Sequence, residues 1–301
     1  MTQLSWAIIV NPVAGRGKAE RSAKLLSTAL KESGANVSVM TTGARGDAER
    51  LAAEAVDAGV SRVVACGGDG TVHEVVNGVM ATKGGAEDVG VGILPSGRCN
   101  DLVYALGLPS SKRDLVDSLV HSTVRTIDLG RIGERYFTTI ATLGFDSEVS
   151  QYVDEGSHPS FLRGTAAYLY SAIVKLIKYD SCWARLKGDF GEFEGDIFLA
   201  ATGNTARYGG RMHVAPSAVV DDGWLDICLV TPVGKLEVLR MIPKTFRGAH
   251  VGHPAVSIHQ TRTLQIESRE PLWVWADGER ITQTPATIEV VPRALPVLVP
   301  K

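Results

Sequence analysis

Hydrophobic positions in the first third of the chain form short unbroken runs, each followed by a segment with helical spacing. Trp6 to Val10 is apolar throughout and ends in Asn11-Pro12-Val13-Ala14-Gly15-Arg16-Gly17, after which Ala23, Leu26 and Leu30 fall on one helical face. The unit recurs. Val37 to Met40 predicts a second strand, Asp47 a helix cap, and Leu51, Ala55 and Val56 one apolar face before Gly59. Arg62 to Ala65 predicts a third strand, then a glycine-rich loop and a helix from about Val72 to Val79; a fourth strand, Val91 to Leu94, runs into Pro95-Ser96-Gly97. Strands that are apolar on both sides belong in a parallel sheet covered by helices on its two faces.

After about Thr126 the pattern changes to short β-rich runs separated by Gly or Asp turns: Ile127 to Arg131, Tyr136 to Thr142, Trp183 to Leu186, Ile197 to Thr202, Leu225 to Val230, Thr263 to Ile266 and Leu272 to Trp275. Helices are expected near 161–178 and 234–242. In the first of these, Leu162, Ala166, Leu169, Ile173 and Ile177 form a stripe with Lys175 and Lys178 off it, and core packing is its expected use. Leu295 to Val299 is a last strand for either domain. The expected fold is therefore α/β plus β-rich: an N-terminal parallel-sheet domain over residues 1–126, joined by 293–301, and a mainly antiparallel β domain over 127–292.

Composition narrows the class. The 301 residues are 45% hydrophobic, enough for two cores, and 31 Lys+Arg against 33 Asp+Glu leave a net charge of −2. That balance excludes a nucleic-acid binder relying on a large basic field. Cys66, Cys99, Cys182 and Cys228 form no CxxC pair, so neither a zinc knuckle nor a disulfide framework is expected, and a reducing compartment fits. No basic leader and no run of the ~20 apolar residues needed to span a bilayer are found. The expectation is a cytoplasmic protein whose membrane contact, if it has any, is local. The histidines show no HExxH pair and the serines no GxSxG elbow.

Gly67-Gly68-Asp69-Gly70-Thr71 lies between a strand and a helix. Glycines there let backbone N–H groups approach an anion where the helix dipole also favours negative charge, a phosphate cradle. Its bland alternative is a tight turn that needs glycine. Asp69 would repel phosphate unless a cation or water stood between, which points to a metal-bound nucleotide such as Mg·ATP. Walker and Rossmann spacings are absent, but the Asn11 to Gly17 loop and the Pro95 to Asp101 loop would gather with the first at the carboxyl edge of a parallel sheet, where ligands bind. Asp221-Asp222-Gly223 reads first as a solvated turn and second as a carboxylate for a hard cation. Trp273-Val274-Trp275-Ala276-Asp277-Gly278-Glu279 reads as a hairpin; a glutamate partly desolvated beside two tryptophans would also suit a general base.

Taken in order, these motifs, with Asn77-Gly78, Asn100-Asp101, Gly144-Phe145-Asp146, Gly209-Gly210 and Ala215-Pro216, resemble the diacylglycerol kinase catalytic-domain family over nearly the whole chain. That family includes soluble bacterial lipid kinases and the sphingosine and ceramide kinases; a GGDG-type loop alone is shared with NAD kinases and phosphofructokinases. The resemblance implies ATP in a cleft between the α/β and β-rich domains. It implies that Asn11, Pro12, Val13, Ala14, Gly15, Thr42, Gly67, Gly68, Asp69, Gly70, Thr71, Val72 and His73 line the nucleotide site, with Gly97 and Arg98 in the third loop. Asp69 would organise Mg²⁺ and the phosphates. Asp222 with the carbonyls of Val219 and Trp224 would hold a structural Mg²⁺, and Glu279 would take the proton of a lipid hydroxyl.

Two positions depart from the family pattern. Arg98 stands where threonine is usual and would either supply a charge-assisted phosphate contact or crowd the usual pose, and Arg211 replaces the third glycine after Gly209-Gly210. The expected activity is transfer of the ATP γ-phosphoryl group to diacylglycerol or a related lipid alcohol. Phe161, Leu162 and Arg163, or Arg207, Arg211 and His213, are candidates for the membrane contact, and a homodimer stays open. The alternatives are a soluble-substrate kinase of the NAD kinase type and a catalytically silent nucleotide- or lipid-binding regulator.

Overall fold

Strands β1 (Ser5–Val10), β2 (Asn36–Thr41), β3 (Arg62–Gly67) and β4 (Gly90–Pro95) pair in parallel in the order β2-β1-β3-β4. This is a computed structural model, and it describes residues 4–82, 88–97, 99–159, 161–162, 165–210 and 212–301, without the side chains of residues 165 and 166. Arg98, Arg163 and Arg211 lie outside the described residues. The chain divides into two compact units. The first runs to Leu129 and takes in Val220–Asp222 and Val291–Lys301; the second comprises Gly130–Val219 and Gly223–Val290.

In the first unit, helices α1 (Lys18–Glu32), α2 (Asp47–Asp57), α3 (Asp69–Met80), α4 (Asp101–Ala105) and α5 (Lys112–Val120) follow the strands. The α1–α5 and α2–α3 pairs pack together, and both pairs contact the sheet. Ile8, Ile9, Val63, Val64 and Ile93 are thereby buried, whereas the edge strand β2 stays half open. The Asp47 cap is corrected: its carboxylate accepts the Gly43 and Ala44 amides. The start of α2 is instead satisfied by Glu74 of α3, which accepts the Gly46 and Ala48 N–H groups at 2.9 and 3.0 Å.

The α2–α3 crossing explains Gly78. A Cβ there would stand 2.1 Å from the Glu49 carbonyl oxygen, a backbone atom that cannot step aside. Gly78→Ala is expected to lose about 1–3 kcal/mol of stability through overpacking, read as a lower thermal midpoint.

The second unit carries β6 (Arg135–Phe137), β7 (Ile140–Gly144), α6 (Phe145–Asp154), α7 (Thr165–Lys178), β8 (Cys182–Gly188), β9 (Gly191–Ile197), β10 (Leu199–Gly203), β11 (Leu225–Val230), α8 (Lys235–Thr245), β12 (Val256–Thr261), β13 (Thr263–Ser268), β14 (Trp273–Ala276) and β15 (Glu279–Gln283). Its larger sheet is six-stranded and antiparallel, in the order β12-β11-β10-β7-β14-β15. Along β11 the period of two is visible in the packing. Leu225, Ile227 and Leu229 join the cluster shared with Leu186, Ile266 and Ile288, while Cys228 and Val230 join the cluster under the helices, with Val149, Leu176, Val238 and Met241.

Two expected strands are split. Tyr136 to Thr142 breaks at Thr138-Thr139 between β6 and β7, and Ile197 to Thr202 breaks at Phe198, where β9 turns into β10. The last strand, β16 (Ala286–Val299), serves twice: Ala286 to Glu289 pair with β13, and Val297 pairs in parallel with Val91 of β4. The strand before β6, β5 (Thr123–Ile132), pairs with it through Gly130 to Ile132.

The α7 stripe is the clearest correction. Leu169, Ile173 and Ile177 are 46, 52 and 65% exposed, while Ala167, Ser171 and Leu176 face inward. The helix packs through its small-residue side and leaves its larger apolar side uncovered.

Candidate active site

The carboxyl ends of the four parallel strands assemble the residues of the first unit that were expected to line a nucleotide site. Asn11 follows β1: its N–H reaches the Cys66 carbonyl at 3.0 Å and its side-chain amide donates to Thr71 Oγ1 at 3.3 Å. Thr42, after β2, donates its N–H to Val10, and Ser96, after β4, donates to Gly67 at 2.7 Å. Four loops are thus stitched at one sheet edge, the place where open α/β sheets bind ligands.

Glycine is required there by space. A Cβ on Gly67 would overlap the Thr71 side chain at 2.2 Å, one on Gly97 would stand 2.7 Å from the Gly68 Cα, and one on Gly15 would stand 2.6 Å from the Ser96 carbonyl oxygen. Two backbone segments therefore touch directly at Gly68 and Gly97. Helix α3 begins at this point with Gly68 as its N-cap and no capping side chain, so its first amides are held by no local side-chain oxygen. Val72 and His73 are buried within α3, whereas Val13 is fully exposed at the loop tip.

Asp69 has a structural task the sequence did not disclose. Its two carboxylate oxygens accept the N–H groups of Asn100 and Asp101 at 3.1 and 3.2 Å, fixing the start of α4 where Asn100 takes φ 51.

In the second unit, Asp277-Gly278 makes the expected hairpin turn, with φ 51 and 83, between the antiparallel β14 and β15. Asp277 is anchored by four hydrogen bonds: the Thr138 and Thr139 amides at 2.8 Å each, Thr138 Oγ1 at 3.1 Å and Thr139 Oγ1 at 2.5 Å. Asn204, fully buried, donates to the Thr138 carbonyl at 3.1 Å and supports the same two threonines. Glu279 opens β15 opposite Ala276 and is half-buried. Sequence reasoning missed Asn204 and this use of Asp277; the chain break at Thr138-Thr139 inside an apolar run was the available signal.

Asp146 belongs to the Gly144-Phe145-Asp146 motif at the start of α6. It is buried, with the Tyr168 and Tyr208 hydroxyls donating to its Oδ1. Burial pushes its carboxyl up, and the two hydroxyls partly offset that. Nearby, an open pocket of about 260 Å³ is lined by Ser147, Glu148, Lys175, Tyr179, Leu272 and Trp273.

Around the second proposed cation position, Val219 is 46% exposed, Asp222 lies in an exposed turn and Trp224 is stacked by the Arg262 guanidinium at 4.3 Å. Asp221 pairs with Arg125 at 2.7 Å. Among the described residues no group of three or more His, Cys, Asp or Glu side chains is placed to hold a metal. The Cys66 and Cys228 thiols are pushed up to about 12 by burial, which removes them as nucleophiles at neutral pH.

Comparison with known proteins accounts for both units. Residues 5–132 match the diacylglycerol kinase catalytic domain, and residues 139–299 match the YegS C-terminal NAD kinase beta sandwich-like domain. A diacylglycerol kinase of Mycobacterium tuberculosis is 34% identical over 300 residues, covering 97% of this chain and 94% of the relative. A protein named probable lipid kinase YegS-like, from Chromohalobacter salexigens, is 31% identical over 275 residues, covering 90% of this chain and 86% of its own. The crystal structure of a diacylglycerol kinase from Bacillus anthracis superposes with a TM-score of 0.80 at 23% identity, covering 99% of this chain and 98% of that one, a likeness of fold. The protein is thus a phosphotransferase with an alcohol acceptor. It belongs to the diacylglycerol kinase catalytic-domain family.

Proposed function

We propose that the protein transfers the γ-phosphoryl group of ATP to the hydroxyl of a lipid alcohol, with diacylglycerol as the acceptor class. One observation carries the ATP half: the N-terminus of α3, where the Gly97 backbone of the loop after β4 packs against the N-cap Gly68. Amides at a helix start attract phosphate, and the close Gly68–Gly97 approach leaves no side chain to occupy that space. The names of the relatives favour lipid over a soluble acceptor.

The residues fit a magnesium-bound nucleotide, since the Asp69 carboxylate stands in the first turn of α3 beside the cradle and Mg²⁺ ordinarily takes one or two carboxylates, phosphate oxygens and water. When bound, Mg²⁺ would neutralise charge on the phosphates. In this reading Asn11 to Gly15, Thr42 and Gly67 to His73 position the nucleotide, together with Gly97 of the third loop. Asp222, with the carbonyls of Val219 and Trp224, would order its turn around a second Mg²⁺. Glu279 accepts the hydroxyl proton as the acceptor oxygen bonds to the γ-phosphorus and the bond from that phosphorus to the β,γ-bridging oxygen breaks, releasing ADP. Phosphoryl transfer asks mainly for this alignment and charge neutralisation.

The experiment incubates the protein with γ-labelled ATP and either vesicles containing diacylglycerol or soluble NAD. A labelled phospholipid from the vesicles and no labelled nucleotide product is expected. Labelled NADP instead would establish the soluble-substrate alternative.

A further inference from the structure

Gly144-Phe145-Asp146 and Gly209-Gly210 lie far apart in the sequence, and the fold joins them. Tyr208, immediately before the two glycines, donates its hydroxyl to Asp146 Oδ1 at 2.5 Å, and Tyr168 of α7 donates to the same oxygen. Asp146 is 6% exposed at the start of α6. A carboxylate so buried depends on its hydrogen bonds, so the Tyr208 hydroxyl is a tight latch for the segment that carries it.

The other end of that segment reaches the hairpin of Glu279. Asn204 and Thr205, fully buried just after β10, both send their N–H groups to the Thr139 carbonyl, at 2.8 and 3.3 Å, and the Asn204 side chain donates to the Thr138 carbonyl at 3.1 Å. Thr138 and Thr139 in turn supply the four donors that hold Asp277, two residues before Glu279. Between Asn204 and Tyr208 stand only Thr205, Ala206 and Arg207, braced by the Thr205 hydroxyl donating to the Arg207 carbonyl at 3.0 Å. So short a run has little slack. The returning limb is tied elsewhere, the His213 N–H to the Thr245 carbonyl at 2.8 Å and the Val214 carbonyl to His250 at 3.1 Å.

We propose that Tyr208, latched on Asp146, is a positioning residue for phosphoryl transfer: through Asn204 it sets where Thr138 and Thr139 hold Asp277, and with it where Glu279 stands. It acts through these residues and not on the acceptor. A displacement of about 1 Å at a reacting group can cost 10² in rate, so a loosened latch is felt at Glu279 without any change in the chemistry there. The consequence for transfer rests on the lipid-kinase reading; the mechanical link is measured without turnover.

The test compares Tyr208→Phe with Tyr179→Phe. Tyr179 is likewise half-buried and donates its hydroxyl to the Phe198 carbonyl at 2.9 Å, at the opposite end of β10 from Asn204, so the same atom is deleted away from the latch. With diacylglycerol in vesicles as acceptor, Tyr208→Phe should lower kcat about tenfold at the parent's KM for ATP, whereas Tyr179→Phe should keep the parent's kcat. In a Glu279→Gln background, Tyr208→Phe should lower kcat no further, because the group it positions is gone. Hydrogen exchange at the Thr138 and Thr139 amides should quicken in Tyr208→Phe and match the parent in Tyr179→Phe. Circular dichroism confirms folding of each variant. Parental exchange at both threonines in Tyr208→Phe overturns the inference. So does an equal loss of kcat in Tyr179→Phe, or losses that multiply in the double variant, since a general loosening of the fold would give both. A parent that phosphorylates no lipid overturns the kinase reading, and exchange at the two threonines then decides the mechanical link alone.

Discussion

Glu279→Gln is expected to bind ATP as the parent does and to lose phosphoryl transfer by about 10²–10⁴ in kcat, the usual contribution of a positioned general base. The substitution preserves size, and position 279 opens a strand paired across the turn with Ala276, so the hairpin should keep its shape. Asp277→Asn separates chemistry from position. Asp277 receives four donors from Thr138 and Thr139, and an amide presents one acceptor oxygen with its NH₂ facing donors. It should lower the thermal midpoint and reduce kcat less than Glu279→Gln does, whereas Glu279→Gln should leave the midpoint nearly unchanged. Labelling of diacylglycerol by Glu279→Gln at the parent's rate would remove that residue from the base role while leaving the kinase assignment intact.

How much of this was legible in the chain depends on the physical signal at each place. Continuous apolar runs gave away β1, β3 and β4, because strands buried on both faces carry no polar alternation to obscure them. β9 was missed: Gly-Glu-Phe-Glu-Gly-Asp-Ile holds charges and glycines, and its strand state comes from the ladder it makes with β8. Periodicity found α7 but assigned its stripe to the core, since spacing reports that one face is apolar and says nothing of what covers it. Buried acids were the hardest. Asp146 sits with tyrosines 22 and 62 residues away, and Asp128, fully buried, accepts an amide from Arg293; contacts so distant in sequence leave no local trace. The glycine loops were read as places where backbone approaches a ligand; the structure shows two of them, at Gly68 and Gly97, approaching each other. The Asn100 and Asp101 amides that Asp69 accepts lie 31 and 32 residues away and left no local trace.

That second task of Asp69 leads to the other large expectation. Asp69→Asn removes a charge from the first turn of α3, where the helix dipole favours an anion, and puts an NH₂ opposite one of two backbone donors, Asn100 or Asp101. Losing a charged hydrogen-bond acceptor costs about 1.5–3 kcal/mol, so the thermal midpoint should fall by several degrees. Transfer should fall by about 10² or more, as positioned charge in the cradle is lost. A magnesium titration separates the two roles. If Asp69 acts only by holding the start of α4, the variant shows weaker ATP binding and lower stability with an unchanged magnesium requirement. If it also faces the cation, the magnesium needed for half-maximal rate rises well above that of the parent, and saturating metal restores part of the lost rate. We expect the latter, because a carboxylate in the first turn of α3 would repel phosphate bound there unless a cation or water stood between them. A variant with parental magnesium dependence would confine Asp69 to the loop and leave cation binding to phosphate and water.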